Sequence, residues 1–249
     1  MILMETTVDL TLNYEDLRVL IPIICGLLGF TTFWFYWKSE KFQAKMIEKY
    51  GPDLGAAKII INTKLYGGFA MGVVPALAYM IAFPETSLAD LGLGIPNGKV
   101  LDTIFWSTGL GMIMVFVVWN NAKKPESLEQ YPQIRAKNWT KKIMIWNLIG
   151  WTVYLLGYEF LFRGVLFFPL MDSIGLWPAI AVNIAMYSAT HIPKGKQETF
   201  GAIPFSIILC LITVSTGNMW TAALVHIAMA YTNTLTSFKH QPEMNFVEA

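Results

Sequence analysis

Seven stretches of this chain are apolar enough to be at home in hydrocarbon: 19–37, 65–83, 101–119, 143–170, 177–190, 202–216 and 219–238. Most match the roughly 20 residues that a helix needs to cross a bilayer core of about 30 Å. The whole composition agrees, with 55% hydrophobic and 14% charged residues and a mean hydropathy of +0.48, far from a soluble domain. The expected fold is all-α, a polytopic membrane helical bundle of about seven spans. At 249 residues, short loops leave no room for a separate soluble module.

Basic residues set the expected orientation. Lys38, Lys41, Lys45, Lys49, Lys58 and Lys64 fall in one loop, and Lys123, Lys124, Arg135, Lys137, Lys141 and Lys142 in another. Only Lys99 lies between the intervening runs, whereas Lys194, Lys196 and Lys239 follow the fifth and seventh. By the positive-inside rule, the N-terminus is expected outside and the C-terminus in the cytoplasm, with the plasma membrane as the expected location. Glu5, Asp9, Glu15 and Asp16 replace the basic start of a cleavable signal peptide, so targeting through the first span is expected. Residues 41–50 read as a basic amphipathic helix on the interface, or a solvated loop helix, ended by Gly51 and Pro52. Residues 91–99 are turn-rich.

Net charge is +1 and the lysines are grouped by loop, which gives no reason to expect a nucleic-acid partner. Cys25 and Cys210 sit inside apolar runs and read as small hydrophobes. No glycine-rich phosphate loop, CxxC pair or internal repeat is present.

The fourth run carries the chemistry. Glu159 and Arg163 interrupt an otherwise apolar stretch at i and i+4, one helix face, where each charge can neutralise the other. Such a pair either ties helices together or marks a site, and intramembrane charges default to the second. His191 and His226 fall in or beside later runs, while His240 lies in the tail and is taken as incidental. A carboxylate, an arginine and two imidazoles are the parts needed to activate water and stabilise an oxyanion. One geometric conflict stands out. A straight fourth helix of about 42 Å overshoots the bilayer core, and it puts Glu159 near the outer surface while His191 sits near the inner one. A break at Gly157, or a short re-entrant helix from Tyr158, is the expected resolution.

Taken in order, Tyr158-Glu159-Phe-Leu-Phe-Arg163-Gly164, Tyr187-x-x-x-His191 and His226 resemble the three signature motifs of the CAAX protease and bacteriocin-processing (Abi) family. The resemblance covers about residues 143–238, with weaker echoes at 91–93 and 131–135. It divides the chain into N-terminal spans and loops (1–142), a protease-like core (143–238) and a tail (239–249). Glu159 and Arg163 align with the second glutamate and the arginine of the first motif. The first glutamate, which usually activates water, is Tyr158 here. Tyr187 replaces a phenylalanine in the second motif. The third motif lacks its polar partner, because Ala230 stands four residues after His226. Asn233 returns to nearly the same helix face about 10 Å further on.

The resemblance implies hydrolysis of a peptide bond within the membrane. It suggests His191 as general base, Glu159 as its orienting carboxylate, His226 as oxyanion donor and Arg163 as the counter-ion of Glu159. The expected partners are a peptide or protein substrate and the lipid bilayer. No cofactor is expected. A zinc ion on Glu159, His191 and His226 is the minority alternative. A weakened member that binds or regulates, favoured by Tyr158 and Ala230, is the second function class, and a transporter gated by the ion pair is the third.

Overall fold

A computed structural model describes residues 11–248 as a helical bundle. Glu5 and Asp9, which bear on the signal-peptide expectation, lie outside the described residues. Helix α1 (Asp16–Lys38) leads into α2 (Glu40–Tyr50), whose first turn is capped by the Ser39 hydroxyl accepting from the Phe42 N–H. No residue of α2 is buried. Gly51, at φ 76°, ends α2, and Pro52 opens α3 (Pro52–Gly68) in the position where a missing N–H costs nothing. A single wide turn, Phe69–Val73, joins α3 to α4 (Val74–Ala82). The loop expected to hold Lys58 and Lys64 is therefore helix: the run begins at Pro52, and Lys64 is buried. Lysine content misplaced the boundary because a long aliphatic stem lets Lys enter a helix interior.

The second half continues with α5 (Val100–Asn121), the short α6 (Pro125–Leu128) and α7 (Lys141–Phe160). A π turn (Leu161–Val165) carries α7 into α8 (Phe167–Ile174). Then follow α9 (Leu176–Ala189), α10 (Lys196–Thr216) and α11 (Trp220–His240). Two-residue strands β1 (Asn138–Trp139) and β2 (Asn245–Phe246) pair in parallel and fasten the tail beside the start of α7.

Among the described residues, five helical segments are long and apolar enough to cross a membrane: Asp16–Lys38, Pro52–Ala82, Val100–Asn121, Lys141–Ile174 and Lys196–Thr216. The other two expected spans fall short for different reasons. Helix α9 has only 14 residues. Helix α11 has 21 residues, but His226, Asn233 and several threonines dilute its hydropathy. Loops gather at two ends. At one, the Asp53 carboxylate accepts from the Lys137 and Asn138 N–H groups, and the Gln241 amide donates to the Tyr131 carbonyl. At the other, the Met219 N–H donates to the Gly92 carbonyl and the Trp220 indole to Leu93.

The chain is not broken at Gly157. Helix α7 runs through it, and the irregularity comes later, at the π turn. Gly157 serves a different need: a Cβ there would strike the Gly68 backbone, so α3 and α7 touch main chain to main chain. The depth conflict is resolved by the shortness of α9. At ~1.5 Å per residue, α7 and α8 together run about 51 Å, and Glu159 lies about 27 Å from their start. Helix α9 returns only about 21 Å of that length, which leaves His191 near the level of Glu159.

Candidate active site

Glu159 ends α7 and Arg163 lies in the π turn, so both project into the bundle interior, and both are fully buried. Single π turns inside helices are frequent at functional sites because they re-aim side chains without ending the helix. Here the Leu166 N–H reaches back to the Leu161 carbonyl at 2.8 Å. Arg163 Nε stands 3.6 Å from Glu159 Oε2, a charge contact longer than a hydrogen bond. One end of the guanidinium is held from α9, while Nη2 is buried without a hydrogen-bond partner. Nη1 donates to Asn183 Oδ1 at 3.1 Å, Ser206 Oγ donates to the same oxygen at 3.1 Å, and the Asn183 amide donates to the Phe162 carbonyl. The guanidinium carbon lies 4.5 Å above the Tyr187 ring.

The other carboxylate oxygen, Glu159 Oε1, is 2.6 Å from His226 Nδ1 on α11. Glu159 was expected to orient His191. Its imidazole partner is instead His226, because α11 crosses beside the end of α7 whereas His191 sits beyond the end of α9. His191 is held by its own turn: Nδ1 donates to the Tyr187 carbonyl at 2.9 Å, with the Thr190 hydroxyl at 3.3 Å. That bond leaves Nε2 as the free lone pair. Burial, with repulsion from Lys194, His226 and Arg163, holds the His191 imidazole well below its usual pKa against the opposing pull of the Tyr187 carbonyl.

Tyr158 lies between the two imidazoles. Its ring meets His191 edge-on at 6.4 Å and His226 at 5.9 Å between centroids, and its hydroxyl bonds the Thr190 hydroxyl at 2.7 Å. His191 and His226 both line an open cavity of about 590 Å³, within the size range of small-ligand sites. Glu159 and Arg163 do not line it; they stand behind His226. Apolar walls come from Met114 and Val118 of α5 and Phe205 of α10, and a polar rim from Gln130, Lys194 and Glu198. Asn233 also faces the cavity, with its Oδ1 taken by the Ser237 hydroxyl at 3.1 Å. Both weaker motif echoes belong to the frame. The Tyr131 hydroxyl donates to Glu198 at 3.0 Å on the rim, and the Leu91 carbonyl presses on Gly164 beside the π turn.

Of the four residues singled out in the sequence, Arg163, Glu159 and His226 are joined in series, and His191 faces the same cavity as His226. Asn183 and Ser206 were missed. The signal existed, since a polar side chain within the apolar run 177–190 is itself unusual in a membrane helix. Among the described residues, no three His, Cys, Asp or Glu side chains gather as a metal ion would require, and the set proposed for zinc is drawn together pairwise by the Glu159–His226 contact.

Buried charge behind two cavity-facing imidazoles, within a bundle of apolar helices, defines the class: a polytopic helical membrane protein with a polar site at its centre. Residues 140–232 match the family described as type II CAAX prenyl endopeptidase Rce1-like. That segment spans the π turn, His191 and His226, and it supports the resemblance of this part of the chain to the CAAX protease and bacteriocin-processing family. No curated protein and no solved structure matches the chain.

Proposed function

We propose that this protein is an intramembrane endopeptidase that hydrolyses a peptide seated in the open cavity between α5, α10 and α11, using water activated without a metal ion. The observation that carries the reading is the 2.6 Å contact of a fully buried carboxylate with a cavity-facing imidazole. By donating Nδ1–H to Glu159, His226 presents Nε2 to the cavity as proton acceptor, and the carboxylate stabilises the imidazolium formed when a water proton arrives. The base role expected of His191 passes to His226 on this ground. His191, whose Nδ1 is committed to the Tyr187 carbonyl, accepts the second hydrogen of the same water through Nε2 and orients it. Arg163 is a positioning residue that keeps Glu159 ionised and in place. Mixed apolar walls and polar rim suit an amphiphilic peptide that enters partly from lipid.

The experiment is cleavage of a peptide library, lipidated and plain, by purified protein in detergent. His226→Ala and Glu159→Gln each reduce the rate by about 100-fold or more, the usual loss for a positioned base, and His191→Ala does the same through the water it holds. Undiminished cleavage in His226→Ala overturns the assignment.

One observation favours a second reading, a family member that binds peptide without cutting it. The Tyr158 ring fills the place between the imidazoles where the family's first glutamate would project, and Ala230 offers no polar group. Absence of cleavage by the natural protein, with cleavage created by Tyr158→Glu and Ala230→Asn together, selects this reading.

The proposed setting is the plasma membrane with the lysine-rich end in the cytoplasm. Reporter fusions at Lys124 and Lys239 then read as cytoplasmic and a fusion near Lys99 as external; a cytoplasmic signal at Lys99 inverts the bundle.

A further inference from the structure

A second, smaller cavity of about 50 Å³ opens beside the first, between α1, α3, α7 and the turn after α9. Trp151 and Lys194 line both. Its centre is Lys64, only 3% exposed, whose Nζ donates to Asn147 Oδ1 at 2.8 Å and lies 3.7 Å above the Trp151 ring. Neither neighbour carries negative charge, and no Asp or Glu lines the cavity. Among the described residues, no carboxylate forms an ion pair with Lys64. Beside it the Thr63 hydroxyl, also buried, has no hydrogen-bond partner. Buried ammonium groups are retained when paired, and buried hydroxyls when bonded. Both requirements are left open here, facing the same space.

The outer wall indicates what fills it. Phe30, Phe33, Trp34 and Trp37 line the cavity from the membrane helix α1, and Lys38 sits over the Trp34 and Trp37 rings at 5.1 and 5.0 Å. Tryptophan and snorkelling lysine at a helix end mark the headgroup level of a bilayer. A volume of about 50 Å³ has room for roughly three to four waters, or one compact anionic group. We propose that this cavity binds the phosphate of an anionic phospholipid, with Lys64 as the principal counter-charge, Lys194, whose Nζ also lies 3.7 Å from Glu198 Oε2, as a second, Thr63 as hydroxyl donor and the α1 aromatics against the acyl chains. This site adjoins the peptide cavity, sharing Trp151 and Lys194 with it, and does not depend on the protease reading.

The test is native mass spectrometry and thermal unfolding of delipidated protein given phosphatidylglycerol, phosphatidylcholine or inorganic phosphate. Wild-type protein retains one phosphatidylglycerol under collisional activation that strips phosphatidylcholine, and only the anionic lipid raises the unfolding temperature. Lys64→Gln lowers the retained fraction at least tenfold. Should that variant fail to fold, Lys194→Gln and Thr63→Val carry the same comparison, each lowering retention. Equal retention of both lipids overturns the proposal, as does unchanged retention in all folded variants. Stabilisation by inorganic phosphate equal to that by the lipid overturns the lipid as occupant.

Discussion

Helix α5 and the α7–α8 segment are both candidate spans, and they invert the rule that holds in water. The more apolar one, Val100–Asn121, has almost none of its span buried in the bundle, whereas most of the less apolar Lys141–Ile174 span is buried. Lipid tails are as apolar as leucine, so hydropathy does not drive a helix to the middle of a bundle. Close packing and polar contacts do. Helix α5 spends its apolar surface on lipid. The α7–α8 segment gives up hydropathy at Tyr154, Tyr158, Glu159 and Arg163, and those residues form the centre.

The comparison is broken most directly at the ion pair. Arg163→Ala leaves Glu159 buried with no cationic partner from its own helix, and loss of one member of a buried pair costs about 3–5 kcal/mol. Expression and unfolding temperature in detergent should both fall. If Arg163→Ala unfolds at the wild-type temperature, polar residues are not what holds α7–α8 at the centre. The substitutions His226→Ala and Glu159→Gln come next, with activity losses of about 100-fold, equivalent to about 2.7 kcal/mol of transition-state stabilisation. They sharpen the comparison because Glu159→Gln keeps the shape of the side chain. An activity loss larger than the stability loss separates chemistry from packing on the same helix.

These residues also show what a sequence can reveal. Hydropathy alone was sufficient for the helical membrane class, and an embedded Glu159–Arg163 pair was sufficient to find the centre. The partner of Glu159 was not legible, because it depends on which of two helices crosses the end of α7. Periodicity does not record crossings. The π turn at 161–165 leaves no composition signature either: Gly157 looked like the breaker because glycine breaks helices in water, yet here it is a contact point. Lys64 was read as a loop residue for a similar reason, since charge is normally a sign of solvent. Its Asn147 and Trp151 partners lie far along the chain, where no local pattern could supply them.

Gly157 itself supplies a smaller effect. Gly157→Ala places a methyl group against the Gly68 backbone, which cannot swing aside as a side chain would. Overpacking of this kind costs about 1–3 kcal/mol. The expected readout is a lower unfolding temperature, with the proposed cleavage activity intact in the fraction that remains folded. A stability equal to wild type would mean that α3 and α7 are held apart in solution, and that the close approach contributes nothing to the buried position of α7.

The smallest effect is the most discriminating, since it compares like with like. Phe162 is 1% exposed in the π turn, and Phe116 on α5 is 64% exposed. Truncation to alanine removes the same atoms from each. At Phe162 those atoms leave a cavity among Tyr158, Tyr187 and their neighbours, and loss of a buried aromatic costs about 3–5 kcal/mol. At Phe116 the ring faces lipid in the folded bundle and still faces lipid when the helices separate within the bilayer, so its transfer energy cancels between the two states. The expected change for Phe116→Ala is within about 0.5 kcal/mol, as for other positions on an unpacked surface. Unfolding temperatures of the two variants in the same bilayer-mimicking micelle decide the matter. A large loss at Phe116 would mean that another surface covers α5, and α5 would then share the packed role of α7–α8.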